Sequence, residues 1–255
     1  MEAKLAFWDN MAKRYPRFND ASMSKDVHHI LNWCHENDVL FDNMSVLDIG
    51  AGKGSMSIPL AQKGARVTAI DVSKDMLKAL DEDATQTGVS HHVQTHQSDW
   101  GSFALTTQYD IVIASMTPAI NDVQKIEKML SASKQLGIYV GWGKYRINKL
   151  VEDLVKAHTR KEEDDCSSAG CFRVAQFIEI LNEKKIAYKS TFFDTGWEEI
   201  YSLKEAKEYA YEQLGRKELT PNDAIIESIL IKHMQNDQVI VKTQAEKGVV
   251  LWKAT

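Results

Sequence analysis

The sequence predicts an α/β protein: a mostly parallel, doubly wound sheet with helices on both faces, N-terminal helices ahead of it and a helical insertion before the last strand. Three observations lead there. Short apolar runs recur from Val46 onward and alternate with amphipathic helical stretches, the pattern of βαβ units. The first run ends in a glycine-rich turn, Gly50-Ala51-Gly52-Lys53-Gly54, which suits the sharp exit of a buried strand into a helix. The second run ends in an acid, Asp71.

In order along the chain, residues 3–15 carry Leu5, Trp8, Ala12 and Tyr15 at helical spacing before Pro16 breaks the pattern. Residues 24–37 form a second helical candidate with Ser24 as cap and Val27, Ile30, Leu31 and Cys34 on one face. Val46–Ile49 is the first strand, and residues 55–63 are a helix closed by Gly64, with Pro59 near its first turn. Arg66–Ile70 is the second strand, and Ser73 caps a helix through Met76, Leu77 and Leu80. Val93–Gln97 and Tyr109–Ala114 are the third and fourth strands. Asn121 or Asp122 opens a helix with Val123, Ile126, Met129 and Leu130 on one stripe, and Leu136–Trp142 is the fifth strand.

Beyond it, Lys161–Gly170 reads as a polar loop, Phe172–Glu183 as a helix and Ala187–Phe193 as a sixth strand. Residues 203–214 read as a helix ended by Gly215. Thr220-Pro221 reads as the start of another, with threonine as cap and proline in the first position, running to about Met234. Val239–Lys242 and Val249–Lys253 are expected as short strands around a turn at Glu246-Lys247-Gly248. The organisation expected is an N-terminal helical lid (1–44), an α/β core (45–199), a helical insertion (200–236) and C-terminal strands completing the sheet (237–255).

Bulk properties narrow the function classes. The formal charge of −5 gives no sign of the basic face of a nucleic-acid binder. No apolar run approaches membrane-spanning length and the N-terminus lacks a signal-type apolar core, so a cytoplasmic protein is expected. Cys34, Cys166 and Cys171 form no Cys-x-x-Cys pair, which suggests neither a disulfide framework nor a zinc site. The pairs His28-His29 and His91-His92 are adjacent residues that point apart, poor geometry for a chelate, so no metal is expected. Glu162-Glu163-Asp164-Asp165 is most simply a solvated loop.

The glycine turn carries the chemistry. Asp71 lies twenty-one residues after Gly50, where a carboxylate can accept hydrogen bonds from both ribose hydroxyls of an adenosine. NAD sites share those two features, but they space their glycines Gly-x-Gly-x-x-Gly, whereas here the sixth place is Ser55. Asp48 also stands directly before the turn, where it opposes a pyrophosphate at the helix N-terminus. S-adenosylmethionine (AdoMet) has no phosphate and carries an ammonium and a sulfonium, which a nearby carboxylate suits.

On these residues the chain resembles the class I AdoMet-dependent methyltransferases. Their first motif, an acid and three alternate glycines, is matched by Asp48, Gly50, Gly52 and Gly54, with Ala51 between. Their second is matched by Asp71, followed by Val72. Their third, an acid after strand three that contacts adenine, is matched by Ser98-Asp99-Trp100. The loop after strand four, beside the methyl group, is matched by Ser115-Met116-Thr117-Pro118. The resemblance implies a seven-stranded sheet with the cofactor at the carboxyl ends of the strands. It also implies that Phe7-Trp8-Asp9-x-x-Ala12-x-x-Tyr15 is a lid helix whose tyrosine reaches the methionine end of AdoMet. Plain alternatives stand beside these: Asp99 as a turn former, Trp100 as a core aromatic, Trp8 and Tyr15 as packing residues.

The Asn/Asp-Pro-Pro-aromatic motif of members that methylate amide or exocyclic nitrogens is absent, which argues against a DNA-adenine or glutamine acceptor. The expectation is methyl transfer to a small molecule enclosed between the N-terminal helices and the 200–236 insertion, without nucleic-acid or membrane partners. No catalytic base is identified. The rivals are a methyltransferase-like module that binds AdoMet without turnover and an NAD-dependent oxidoreductase.

Overall fold

A computed structural model of the chain describes residues 2–159 and 173–254, with side chains from residue 7. The predicted loop 161–170, the acidic run 162–165, Cys166 and Cys171 lie outside the described residues. The chain divides into two compact units. Unit 1 comprises residues 1–141, 172–191 and 248–255; unit 2 comprises 142–171 and 192–247.

Unit 1 begins with α1 (Glu2–Ala12) and α2 (Ala21–Glu36). Asp20, not the predicted Ser24, caps α2: its carboxylate accepts from the Ser22 and Met23 N–H groups. Ser24 lies inside the first turns. The α2 stripe is as the period requires, with Val27, Ile30, Leu31 and Cys34 buried. Burial pushes the Cys34 thiol up to about 12, which makes it an inert packing residue.

The sheet follows: β1 (Ser45–Ile49), α3 (Ser57–Gln62), β2 (Arg66–Asp71), α4 (Lys74–Gln86), β3 (Val93–Gln97), β4 (Tyr109–Ser115), α5 (Val123–Ala132) and β5 (Ser133–Asn148). β1 pairs in parallel with β2 and β4, β2 with β3, and β4 with β5. β1 is therefore central, and its residues 46–49 are buried, as two covered faces demand. Asp122 caps α5; of the expected stripe, Ile126 and Met129 are buried while Val123 is 51% exposed.

Later elements are α6 (Lys149–Thr159), α7 (Val174–Glu183), β6 (Tyr188–Tyr201), α8 (Leu203–Arg216), α9 (Asp223–Lys232), β7 (Met234–Gln235) and β8 (Gln238–Lys253). The strand order is β3-β2-β1-β4-β5-β8-β6, with β7 paired antiparallel to β8. This is the mostly parallel sheet that the sequence predicts. In unit 1, α7 brings Phe177 into the core, where its ring lies 4.3 Å from Tyr139 and 5.2 Å from Trp252. Trp252 in turn packs so closely on Gly137 that a Cβ there would sit 1.9 Å from the indole.

Several expectations are corrected. β5, β6 and β8 are much longer than predicted, and the turn at Glu246-Lys247-Gly248 is absent: β8 runs straight through it. Asn222, not Thr220, caps α9, and Pro221 lies before the helix. The helix stops at Lys232, and a tight turn at Asn236-Asp237, both with positive φ, joins β7 to β8. Gly215 lies inside α8, whose start is the capping box Ser202–Glu205. α6 is an element the sequence reading missed. In unit 2, α6, α8 and α9 bury Leu150, Leu154, Ala206, Ala210, Leu214, Ile226, Ile229 and Leu230 together with Val239 and Val241 of β8.

Candidate functional site

The site lies in unit 1, at the carboxyl ends of β1, β2 and β4. The Gly50 and Ala51 N–H groups both donate to the Ile70 carbonyl, at 2.8 and 3.0 Å, so the turn after β1 is tied to the end of β2. Gly50 has φ +71°. A Cβ on it would sit 2.0 Å from Thr117 Oγ1, so only glycine lets the loop after β4 lie against this turn. Gly54 is similarly pressed by Leu80 of α4. Gly52 differs: a Cβ there meets nothing within 4 Å. Its main chain faces open space, where a ligand can approach it.

Asp71 is the hub. One carboxylate oxygen accepts the Gly52 N–H at 2.9 Å, and the other accepts the Ser73 N–H at 2.9 Å. Burial is the main influence raising its pKa, opposed by those N–H bonds and reinforced by the Asp9 charge. Asp9 reaches it from α1, where it accepts the Ser73 hydroxyl at 2.5 Å. Asp48 is 2% exposed and accepts the Ser57 hydroxyl at 2.6 Å. Burial first, and the Asp71 charge after it, push Asp48 up to about 6. Three carboxylates thus converge on one turn. The one lysine of the turn, Lys53, donates to the Tyr15 carbonyl at 2.6 Å.

The other predicted residues are placed as follows. Ser98 N–H donates to the Asp71 carbonyl at 2.8 Å, and the Gln97 side chain donates to the Val72 carbonyl. Asp99 forms a turn by accepting the Gly101 N–H at 2.8 Å. Trp100 is a core aromatic: 1% exposed, its N–H donates to the Lys125 carbonyl at 3.0 Å, and the Lys128 ammonium lies 4.5 Å from its ring. Ser115 ends β4 half-buried, ahead of Met116 at φ +52°. Tyr15 is half-buried and held through its backbone carbonyl. Sequence reasoning gave no role to Asp9, Lys53, Ser57 or Thr117. Asp9, Lys53 and Thr117 stood inside quoted motifs; Ser57 carried no signal of its own.

This set fits AdoMet. The open main chain at Gly52 admits a ligand, the pinned Asp71 presents a carboxylate beside it, and the acidic surroundings favour a cation over a diphosphate.

Comparison with known proteins agrees. A family model described as a methyltransferase domain matches residues 46–136. An uncharacterized protein of Haemophilus influenzae is 28% identical over 162 residues, covering 54% of this chain and 59% of that one. A ubiquinone biosynthesis O-methyltransferase of Leptothrix cholodnii is 32% identical over 89 residues, 33% of this chain and 37% of that one. The chain thus spans less than two thirds of the length of these curated relatives. Magnesium protoporphyrin IX methyltransferase of Synechocystis PCC 6803, solved with bound S-adenosylhomocysteine, shares the fold at TM-score 0.50 and 20% identity, over 67% of this chain and 75% of that one. Residues 46–136 of the chain thus match a methyltransferase domain, within a fold shared with a solved methyltransferase.

Proposed function

We propose that this protein binds AdoMet at the β1–β2 end of unit 1 and transfers its methyl group to a small-molecule acceptor. The observation that carries the reading is Asp71, fixed by two backbone N–H groups next to the open main chain of Gly52. In this reading the turn Asp48–Gly54 cradles the amino-acid end, Asp71 and Val72 hold the ribose, Ser98 and Asp99 flank the adenine, and Ser115 and Tyr15 border the methionine end. Trp100 supports that adenine edge from the core rather than stacking on it. Bound AdoMet supplies an electrophilic sulfonium methyl. The chain's own part is to bind, to align the acceptor in line and to exclude water. Asp9 and Lys53 belong to this machinery because they tie α1 and the Tyr15 carbonyl to the two turns.

A small-molecule acceptor is supported by the net charge of −5 and by the acidic site itself, both unfavourable to a polyanion. Among the described residues no helix is long and apolar enough to cross a membrane. Calorimetry of the full chain with AdoMet and NAD side by side tests the cofactor. The expected result is AdoMet binding alone; NAD binding alone refutes it. Release of S-adenosylhomocysteine in the presence of acceptor tests turnover, and AdoMet binding without release under any acceptor leaves a binding module.

A further inference from the structure

Unit 2 holds a second constellation that the AdoMet site does not use. Within it, residues 142–148 of β5 and 192–201 of β6 flank residues 238–247 of β8. Along β8, Val239 and Val241 point to the helices α6, α8 and α9; alternation puts Thr243, Ala245 and Lys247 on that same face. The Asn148 amide donates to Thr243 and to Tyr209 of α8, so this face of β5 is the same one.

On it stand two indoles. Trp142 and Trp197 have ring centroids 6.2 Å apart at 30°, and both are half-exposed. Arg146 lies beside the pair, its guanidinium 4.9 Å from the Trp142 ring and 5.7 Å from the Trp197 ring. Lys247, only 8% exposed, places its ammonium 5.6 Å from Trp142. The neighbouring carboxylates are engaged elsewhere. Glu246 accepts the Lys144 N–H, Asp194 the Tyr145 hydroxyl and Glu199 the Tyr201 hydroxyl.

The buried Nε of Arg146 has no hydrogen-bond partner among the described residues. A buried guanidinium N–H without an acceptor is costly, and the cation–π contacts orient the fork without satisfying its donors. A guanidinium fork is best satisfied by an anionic acceptor, and the surface beside this one is aromatic.

We propose that Trp142, Arg146 and Trp197 form a binding site for a small planar aromatic anion, its ring against the indoles and its acidic group on the Arg146 guanidinium. Lys247 adds a second positive charge. Carboxylate and phosphate satisfy the guanidinium fork alike. The binding needs no AdoMet.

The test titrates the full chain, without AdoMet, with 1-naphthoate, 1-naphthyl phosphate and methyl 1-naphthoate by calorimetry. Saturable binding of one or both acids, with the ester weaker by about tenfold or more, is expected; which acid binds identifies the anion. In Arg146→Gln the acid is expected to lose about tenfold while the ester is unchanged. Arg146→Lys, which keeps the charge, is expected to retain the preference for acid over ester and serves if Arg146→Gln does not fold. No binding by either acid, equal binding of acid and ester, or full binding in folded Arg146→Gln overturns the proposal. So does binding of a single-stranded oligonucleotide in place of both acids. AdoMet affinity measured on the same wild-type sample separates this outcome from failure of the methyltransferase reading.

Discussion

Replacing Asp71 by asparagine isolates the charge at the centre of the site. The side chain keeps its shape, so α1, β2 and α4 retain their packing. Its two oxygens now accept from Gly52 and Ser73, each at 2.9 Å. An amide offers one oxygen, so one of these N–H groups faces an NH2 and loses its acceptor. Losing a charge-assisted bond of this kind costs ~1.5–3 kcal/mol, seen as a lower urea midpoint. The hydrogen bonds that the carboxylate offers a ribose weaken too. A comparable loss there lowers AdoMet affinity by roughly 10- to 150-fold. Calorimetry at pH 8 reads it directly, and the Asp71→Asn protein must first show its native circular dichroism. A folded variant that binds AdoMet within about twofold of wild type refutes the assignment of Asp71 to the ribose, and with it the placement of the ligand beside Gly52.

Three more outcomes follow from the same geometry. Asp48 in the free protein is pushed up to about 6, and a bound cation lowers it, so binding favours the ionised form. AdoMet affinity should therefore fall by up to about tenfold per pH unit below pH 6; calorimetry in buffers of different ionisation heat should show proton release near pH 6, and Asp48→Asn should abolish most of it. Gly50→Ala and Gly52→Ala separate packing from ligand access: the first meets Thr117 and should cost ~2 kcal/mol or more of stability, while the second costs ~1 kcal/mol yet weakens AdoMet binding at least as much. Trp252→Phe removes a buried indole N–H that has no partner among the described residues; the gain offsets the smaller ring, and a net change within ~1 kcal/mol by urea denaturation is expected.

The first five strands and the glycine turn were legible because they depend on local rules. Val46–Ile49 is apolar throughout since β1 is covered on both faces, and Gly50 must be glycine because Thr117 leaves no room for a Cβ. Ser73 and Asp122 announced their helices by capping chemistry. The misses are tertiary. The β8 segment Glu246-Lys247-Gly248 has turn composition, yet pairing with neighbouring strands on both sides overrides it. Ser24 and Thr220 are as good caps as Asp20 and Asn222 by type, and only the chain path chooses between them. Trp100 gave no sign whether its indole faced ligand or core; the Lys125 carbonyl decides. Arg146 showed nothing at all, because its significance depends on Trp197 of β6, distant in sequence, meeting Trp142 of its own strand.

The division of the chain has a consequence for how the protein is made. Unit 1 comprises three separate stretches of sequence and unit 2 two, so neither can be cut out as a continuous piece. The sheet around β1 takes residues 248–254 from a stretch that follows all of unit 2 in sequence. Such late, long-range closure predicts slow folding, with the apolar edge of β5 as the surface a chaperone would find exposed meanwhile.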